Sequence, residues 1–226
     1  MLLLKRMDTT PEVLSSFFCN EDNDPKRKEI ADEFLELVDQ LNNSLDHLYL
    51  PGKIECIYNP TIYARYTFEM YVRKYCNTKK PIMYFGMNPG PWGMSQTGVP
   101  FGEISSVRDW LGIEGPVGKP SVELPSRPVL GFNCTRNEQA QMAPLFDICD
   151  PTFIKVLQLY EVKLIIAIGK FCETRAQKAL KNFLPHNSIQ VLYLPHPSPR
   201  AVNNTDWDQK AFEILKAYNL LQYYAH

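Results

Sequence analysis

The chain has 226 residues, of which 45% are hydrophobic, 12% aromatic and 22% charged. That is enough apolar material for one well-buried domain, and it excludes a disordered tail or a disulfide-dependent mini-protein. The formal net charge of −1 excludes nucleic-acid binding through overall charge alone.

Leu2-Leu3-Leu4, the longest apolar run at the amino end, is broken at once by Lys5-Arg6, too short for a signal-peptide core or a membrane span. Residues 1–24 read as a loosely ordered tail ending in the acidic, turn-rich run Asn20 to Asp24, and residues 25–226 as a single domain. Ile30, Phe34, Leu37, Val38, Leu41, Leu45 and Leu48 recur at steps of three and four, predicting an amphipathic helix that closes near Pro51-Gly52. A second helix is predicted from Thr61 to about Tyr75, with Ile62, Tyr66 and Met70 on one side.

Three continuous apolar runs bounded by turn residues follow: Ile82 to Phe85, Leu164 to Ile168 and Val191 to Leu194. Runs of this length read as parallel strands buried on both faces. Helical patterns separate or follow them, one starting at Asp150-Pro151, one around Cys172 to Phe183 and one after Asp206. The fold class is therefore α/β, with strands alternating with helices. The interval from Glu114 to Cys149 fits poorly, since its 36 residues hold one strand-like piece, Pro128 to Phe132.

Parallel α/β sheets bind ligands beyond the carboxyl ends of their strands. After Phe85 comes Gly86-Met87-Asn88-Pro89-Gly90-Pro91, continuing to Gly102 with five glycines and three prolines in 17 residues. Such a loop allows close approach of a ligand, and Asn88 can both donate and accept hydrogen bonds. A structural turn capped by Asn88 is the competing reading. After Leu194 comes Pro195-His196-Pro197-Ser198-Pro199-Arg200, whose prolines hold His196 in place. A lone histidine is more often structural, but His196 paired with Asn88 across adjacent strand ends points to catalysis. Seven basic residues between Pro151 and Arg200 (Lys155, Lys163, Lys170, Arg175, Lys178, Lys181 and Arg200) face two acidic ones. They form either a phosphate-contacting face or solvated helix surface. The six cysteines form no C-x-x-C pair, so their spacing suggests neither a zinc site nor a disulfide framework.

The stretches Gly86 to Gly90, Gly98 to Gly102 and His196 to Arg200 together resemble the single-strand-selective monofunctional uracil-DNA glycosylases of the uracil-DNA glycosylase superfamily. The similarity runs from about Ile54 to Cys134 and resumes from about Asp147 to Trp207. It implies a three-layer α/β/α fold around a short, mostly parallel sheet. It also implies base excision repair, in which a hydrolase cuts the bond between deoxyribose and uracil or a 5-oxidised uracil, in single- and double-stranded DNA, without metal or cofactor. By that resemblance Asn88 positions the attacking water and His196 hydrogen-bonds the uracil carbonyl. Phe101 stacks on the flipped base, Met87 offers its backbone N–H, and Gly90 and Met94 line the base pocket. Pro197, Ser198, Pro199 and Arg200 wedge into the duplex. A monomer acting in the nucleus, away from membranes, is the matching expectation.

The chain departs from the family between Cys134 and Cys149. Several dozen residues are missing there, including an edge strand that ends in an asparagine reading the uracil amide edge; neither Asn133 nor Asn137 sits in a matching context. The strand Ile82 to Phe85 is then expected to expose an apolar edge. The alternative function is a catalytically impaired binder of single-stranded or abasic DNA.

Overall fold

The computed structural model describes residues 2–4, 29–47, 56–135, 146–186, 188–197 and 206–223. Four strands, β1 (Leu2–Leu4), β2 (Ile82–Phe85), β3 (Leu164–Ile168) and β4 (Gln190–Leu194), form one sheet in that order. β2, β3 and β4 are parallel, with Ile82 opposite Leu164 and Leu164 opposite Gln190, as their apolar runs predict.

β1 is a correction. It pairs antiparallel with β2, Leu2 opposite Phe85 and Leu4 opposite Met83, so three residues of the expected tail are a strand and the edge of β2 is not bare. The rest of the tail lies outside the described residues.

Helices cover both faces of the sheet. On one side lie α1 (Ile30–Asp46), α3 (Arg65–Tyr75), α5 (Phe146–Leu159) and α6 (Lys170–Phe183). They pack Phe34, Leu35, Phe68, Val72, Leu157 and Ala176, with Tyr160 just beyond α5, against Met83, Ile165 and Ala167. On the other side α7 (Trp207–Ala217) lays Trp207, Ala211 and Ile214 over Tyr84, Ile166, Leu192 and Leu194. The layering is α/β/α, and the strand residues alternate between the two cores as a pleated sheet requires.

Several predicted boundaries move. α1 closes at Asp46, earlier than Pro51-Gly52. The helix expected from Thr61 is two, α2 (Pro60–Tyr63) and α3, broken at the fully buried Ala64. The face they bury carries Thr67, Phe68, Tyr71 and Val72, while Ile62 and Tyr66 are exposed. α5 begins at Phe146, with Pro151 inside it rather than at its start. The strand-like piece Pro128 to Phe132 forms no strand; Gly131–Asn133 is a single tight helical turn.

Candidate functional site

The carboxyl ends of β2, β3 and β4 lie side by side, and each continues into a segment of restricted conformation. β4 runs into Pro195 and His196, and the Pro195 carbonyl accepts the Trp207 indole N–H at 2.8 Å, fixing the turn. β3 runs into Gly169, whose N–H donates to the Leu194 carbonyl at 2.8 Å and so fastens this end to β4. Gly169 has φ +88°, and a Cβ there would stand 3.5 Å from the His196 Cβ and 3.7 Å from its Cδ2. Only glycine keeps that conformation without strain and leaves the space beside the imidazole empty.

β2 runs into Gly86, Met87 and Asn88. Asn88 and His196 do not stand on adjacent strand ends, as the sequence reading had it, because β3 separates β2 from β4. Two strand spacings put the ends about 9.6 Å apart, with Gly169 between them. The correction matters chemically, since a gap of that width accommodates a planar ring and direct contact does not.

Asn88 Nδ2 donates to the Pro89 carbonyl at 3.1 Å. Asn88 Oδ1 is buried and has no hydrogen-bond partner among the described residues. A buried acceptor left unsatisfied costs about 1–3 kcal/mol, which makes this oxygen a candidate to accept a hydrogen bond from a bound molecule. The half-buried His196 imidazole is pushed below its ordinary 6.5 by burial, which favours the neutral ring at pH 7. In that form one ring nitrogen donates and the other accepts.

The Phe101 ring lies against Gly86, where an added Cβ would be 2.6 Å from Cζ and 2.7 Å from Cε1. Its backbone is left-handed, φ +54°, and the ring packs on the α7-side core. Met87 is half-buried against the other core. Gly90 is buried, and its carbonyl accepts the Ser95 N–H at 3.1 Å. Met94 is 4% exposed and belongs to the main core, which makes it packing beneath the loop. Pro197 is exposed beside His196, while Ser198, Pro199 and Arg200 lie outside the described residues.

The basic stretch is not one face. Arg175 turns inward to Asp150, Nε to Oδ1 at 2.9 Å. Lys163 precedes β3 at the opposite end of the sheet from His196. Lys170 and Lys181 sit near opposite ends of α6, about 16 Å apart along its axis. Among the described residues of this stretch, Lys170 stands at the carboxyl ends of the strands, paired with Glu173 at 2.5 Å and 5.9 Å from the Tyr193 ring centroid. Asn133 is exposed on its turn, and Asn137 lies outside the described residues. Among the described residues no three His, Cys, Asp or Glu side chains gather at metal-binding separation.

The reading of the motifs missed Gln96. This side chain has no solvent exposure and joins the glycine-rich loop to residues 128–131. A lone glutamine in a loop carries no sequence signal for that.

Comparison with known proteins identifies the family. Residues 73–222 match the uracil DNA glycosylase superfamily. The chain is 35% identical over 246 residues to the mouse single-strand selective monofunctional uracil DNA glycosylase, covering 87% of this chain and 88% of the mouse protein. It is 36% identical over 247 residues to the rat protein of that name, covering 88% of each chain. In the mouse comparison, 87% of 226 residues is about 197, so about 49 of the 246 aligned positions in total have no residue here. The crystal structure of wild-type SMUG2 from Pedobacter heparinus superposes with a TM-score of 0.53 at 16% identity, covering 84% of this chain and 98% of that one, a likeness of fold. By family match, identity and coverage, this chain belongs to the uracil-DNA glycosylase superfamily.

Proposed function

We propose that this chain is a monofunctional DNA glycosylase that hydrolyses the N-glycosidic bond of uracil, or of a 5-oxidised uracil, in single- and double-stranded DNA, and that it works in the nucleus. The observation that carries the reading is the buried Asn88 Oδ1, which has no hydrogen-bond partner among the described residues and follows the end of β2, with His196 beyond the end of β4 and Gly169 on the strand between them.

In this reading the base is extruded from the strand at a cost of a few kcal/mol. Stacking on the Phe101 ring, worth about 1–3 kcal/mol, offsets part of it. Departure of uracil places negative charge on its ring. A neutral His196 N–H fixed at the carbonyl stabilises that charge, by about 3–4 kcal/mol if it acts as an oxyanion donor does. The deoxyribose left behind is cationic, so the attacking water needs orientation more than activation. Asn88 Oδ1, unable to turn while Nδ2 is held by Pro89, accepts a hydrogen bond from that water and aims its lone pair at the sugar. The water's oxygen bonds to the anomeric carbon and the carbon–nitrogen bond breaks. One proton leaves the water, and the departing base takes one up.

A non-catalytic binder of abasic or single-stranded DNA is favoured by one observation. The segment leading toward the absent strand offers Asn133 on an exposed turn and no buried amide to read the base. Single-turnover uracil release from a single-stranded oligonucleotide separates the two readings. The glycosylase reading expects release by the chain itself and a loss of roughly 10²–10³-fold in both Asn88→Ala and His196→Ala. DNA binding without release by the unaltered chain would establish the binder.

A further inference from the structure

Gln96 is fully buried in α4 (Met94–Thr97), a single turn between the two limbs of the glycine-rich loop. Its Nε2 donates to the Pro91 carbonyl at 2.8 Å and to the Pro128 carbonyl at 2.9 Å. Its Oε1 accepts the N–H of Leu130 at 2.7 Å and of Gly131 at 3.1 Å. Two donors and two acceptor positions are all an amide has, and all four are used on backbone groups.

Pro91 is three residues beyond Asn88, and the arm between them is Pro89-Gly90-Pro91. Two prolines fix φ in that arm, and the Gly90 carbonyl is tied back to α4 by the Ser95 N–H. A displacement at the Pro91 carbonyl is therefore passed to Asn88 instead of being absorbed. The other limb has its own fastening: Thr97 Oγ1 donates to the Gly102 carbonyl at 3.0 Å and accepts the Val99 N–H at 3.2 Å, on either side of Phe101. Tyr63 anchors the turn itself through the Ser95 carbonyl at 2.8 Å. Residues 128–131 are a firm base for this arrangement, because Glu123 Oε1 accepts the Val129 N–H at 2.6 Å.

We infer that Gln96 is a positioning residue for the proposed reaction, holding the Asn88 arm at a fixed distance from the 128–131 segment. The inference rests on the reading of Asn88 given above. Gln96 itself touches neither base nor sugar. Its role follows from the arm it holds, since a misplacement of about 1 Å at a reacting group costs roughly 100-fold in rate.

Gln96→Glu tests this, being the same size and keeping both acceptor positions. The carboxylate loses both donors and faces the Pro91 and Pro128 carbonyls; once protonated, it regains one donor. At pH 8 the single-turnover rate at saturating DNA is expected to fall roughly 10- to 100-fold and to recover as the pH is lowered toward 6. Affinity for an abasic-site oligonucleotide should change by less than about threefold. Gln96→Met should lose as much rate with no recovery at low pH. Amide hydrogen exchange should quicken in peptides spanning residues 86–102 and 128–134 of both variants while β3 and β4 keep their protection. That measurement needs no turnover: if the unaltered chain releases no uracil, the glycosylase reading fails, and exchange alone decides whether Gln96 holds the arm. Wild-type rates in Gln96→Glu across the pH range, or faster exchange spread evenly over the whole chain, would overturn the inference.

Discussion

The contact between Gly86 and Phe101 permits a prediction whose size can be worked out. In Gly86→Ala the new Cβ would stand 2.6 Å from Phe101 Cζ and 2.7 Å from Cε1, whereas carbon atoms pack at about 3.5–4.0 Å. The ring must retreat by about 1 Å. It cannot swing freely, because it is packed with Tyr84, Ile166 and Leu192 and its backbone is already left-handed. Forcing a methyl into such a site costs about 1–3 kcal/mol of stability. The same retreat moves the proposed stacking surface by about 1 Å, which corresponds to a rate loss of up to roughly 100-fold, or about 2.7 kcal/mol of activation free energy. A double-mutant cycle isolates the clash from other effects of the methyl group. Phe101→Leu alone should lose roughly tenfold or more as stacking is removed. Adding Gly86→Ala to it should cost less than about twofold further, since the atoms it strikes are gone. Rates come from single-turnover uracil release, and urea titrations confirm that every variant is folded at the assay temperature. An unimpaired Gly86→Ala, or an equal loss in both backgrounds, would refute the reasoning.

Three further outcomes follow from groups elsewhere in the chain. Asp150 and Arg175 form a buried ion pair joining α5 to α6; Asp150→Ala should cost about 3–5 kcal/mol in urea unfolding, and a loss below about 1 kcal/mol would mean the pair is not holding the helices. The Glu103 carboxylate accepts both backbone and hydroxyl donors of Ser105 and Ser106, which hold its pKa at about 2, well below the ordinary 4.5. Its contribution is therefore complete above pH 4.5 and lost as the pH falls through 2. Glu103→Gln should be less stable by about 1 kcal/mol at pH 7, with the gap closing in acid; a gap independent of pH would remove the capping argument. Burial holds the His196 pKa below 6.5, so unfolding takes up a proton between the two values. Its neutral form supports the fold fully above pH 6.5 and loses that effect as the pH falls through the folded value. The melting temperature of the wild type minus that of His196→Phe should thus decrease on going from pH 7.5 to pH 5, and a constant difference would count against burial as the cause.

The parallel sheet was legible because strands buried on both faces must be continuous apolar runs, and Ile82–Phe85, Leu164–Ile168 and Val191–Leu194 cannot be covered in any other way. Asn88 and His196 stood out because the motifs around them lie where such strands end. Their separation did not, because strand order is a tertiary property and nothing local places β3 between β2 and β4. β1 was invisible for a related reason: Leu2-Leu3-Leu4 becomes a strand only when it meets the edge of β2. Pro151 misled the reading because proline favours the first turn of a helix, yet α5 begins five residues before it. The interval from Glu114 to Cys149 reads as a poor fit with one strand-like piece, and its described residues up to 135 hold no strand, only the turn Gly131–Asn133. Yet it is pinned by side chains distant in sequence, since Tyr58 accepts the Leu124 N–H and donates to the Arg127 carbonyl, both at 2.8 Å. Gln96 belongs to the same class, a polar residue whose partners are all backbone groups and therefore leave no pattern.

On the family resemblance, the segment missing between Cys134 and Cys149 is an edge strand, whose loss would spare the middle of the sheet. The proposed catalytic pair and the Gly169 space depend on β2, β3 and β4, whose mutual register and two cores need no fourth parallel strand. What an edge deletion exposes is the unpaired backbone of β2, and a parallel replacement would require a crossover connection of a dozen or more residues. A segment arriving from outside the domain can pair antiparallel without one, and β1 does so. The substitution is mechanical only. β1 covers the edge of β2 through backbone pairing. In the proposed reaction, base selectivity then falls to groups in the loops that follow the retained strands: the Met87 backbone, the Phe101 ring and the His196 donor. By the resemblance, the missing strand carries the asparagine that reads the amide edge, where uracil and cytosine differ. Excision by this chain should therefore discriminate between them less sharply than excision by the mouse relative, as competition between the two bases in one oligonucleotide would measure. Equal discrimination would show that these groups read that edge by themselves.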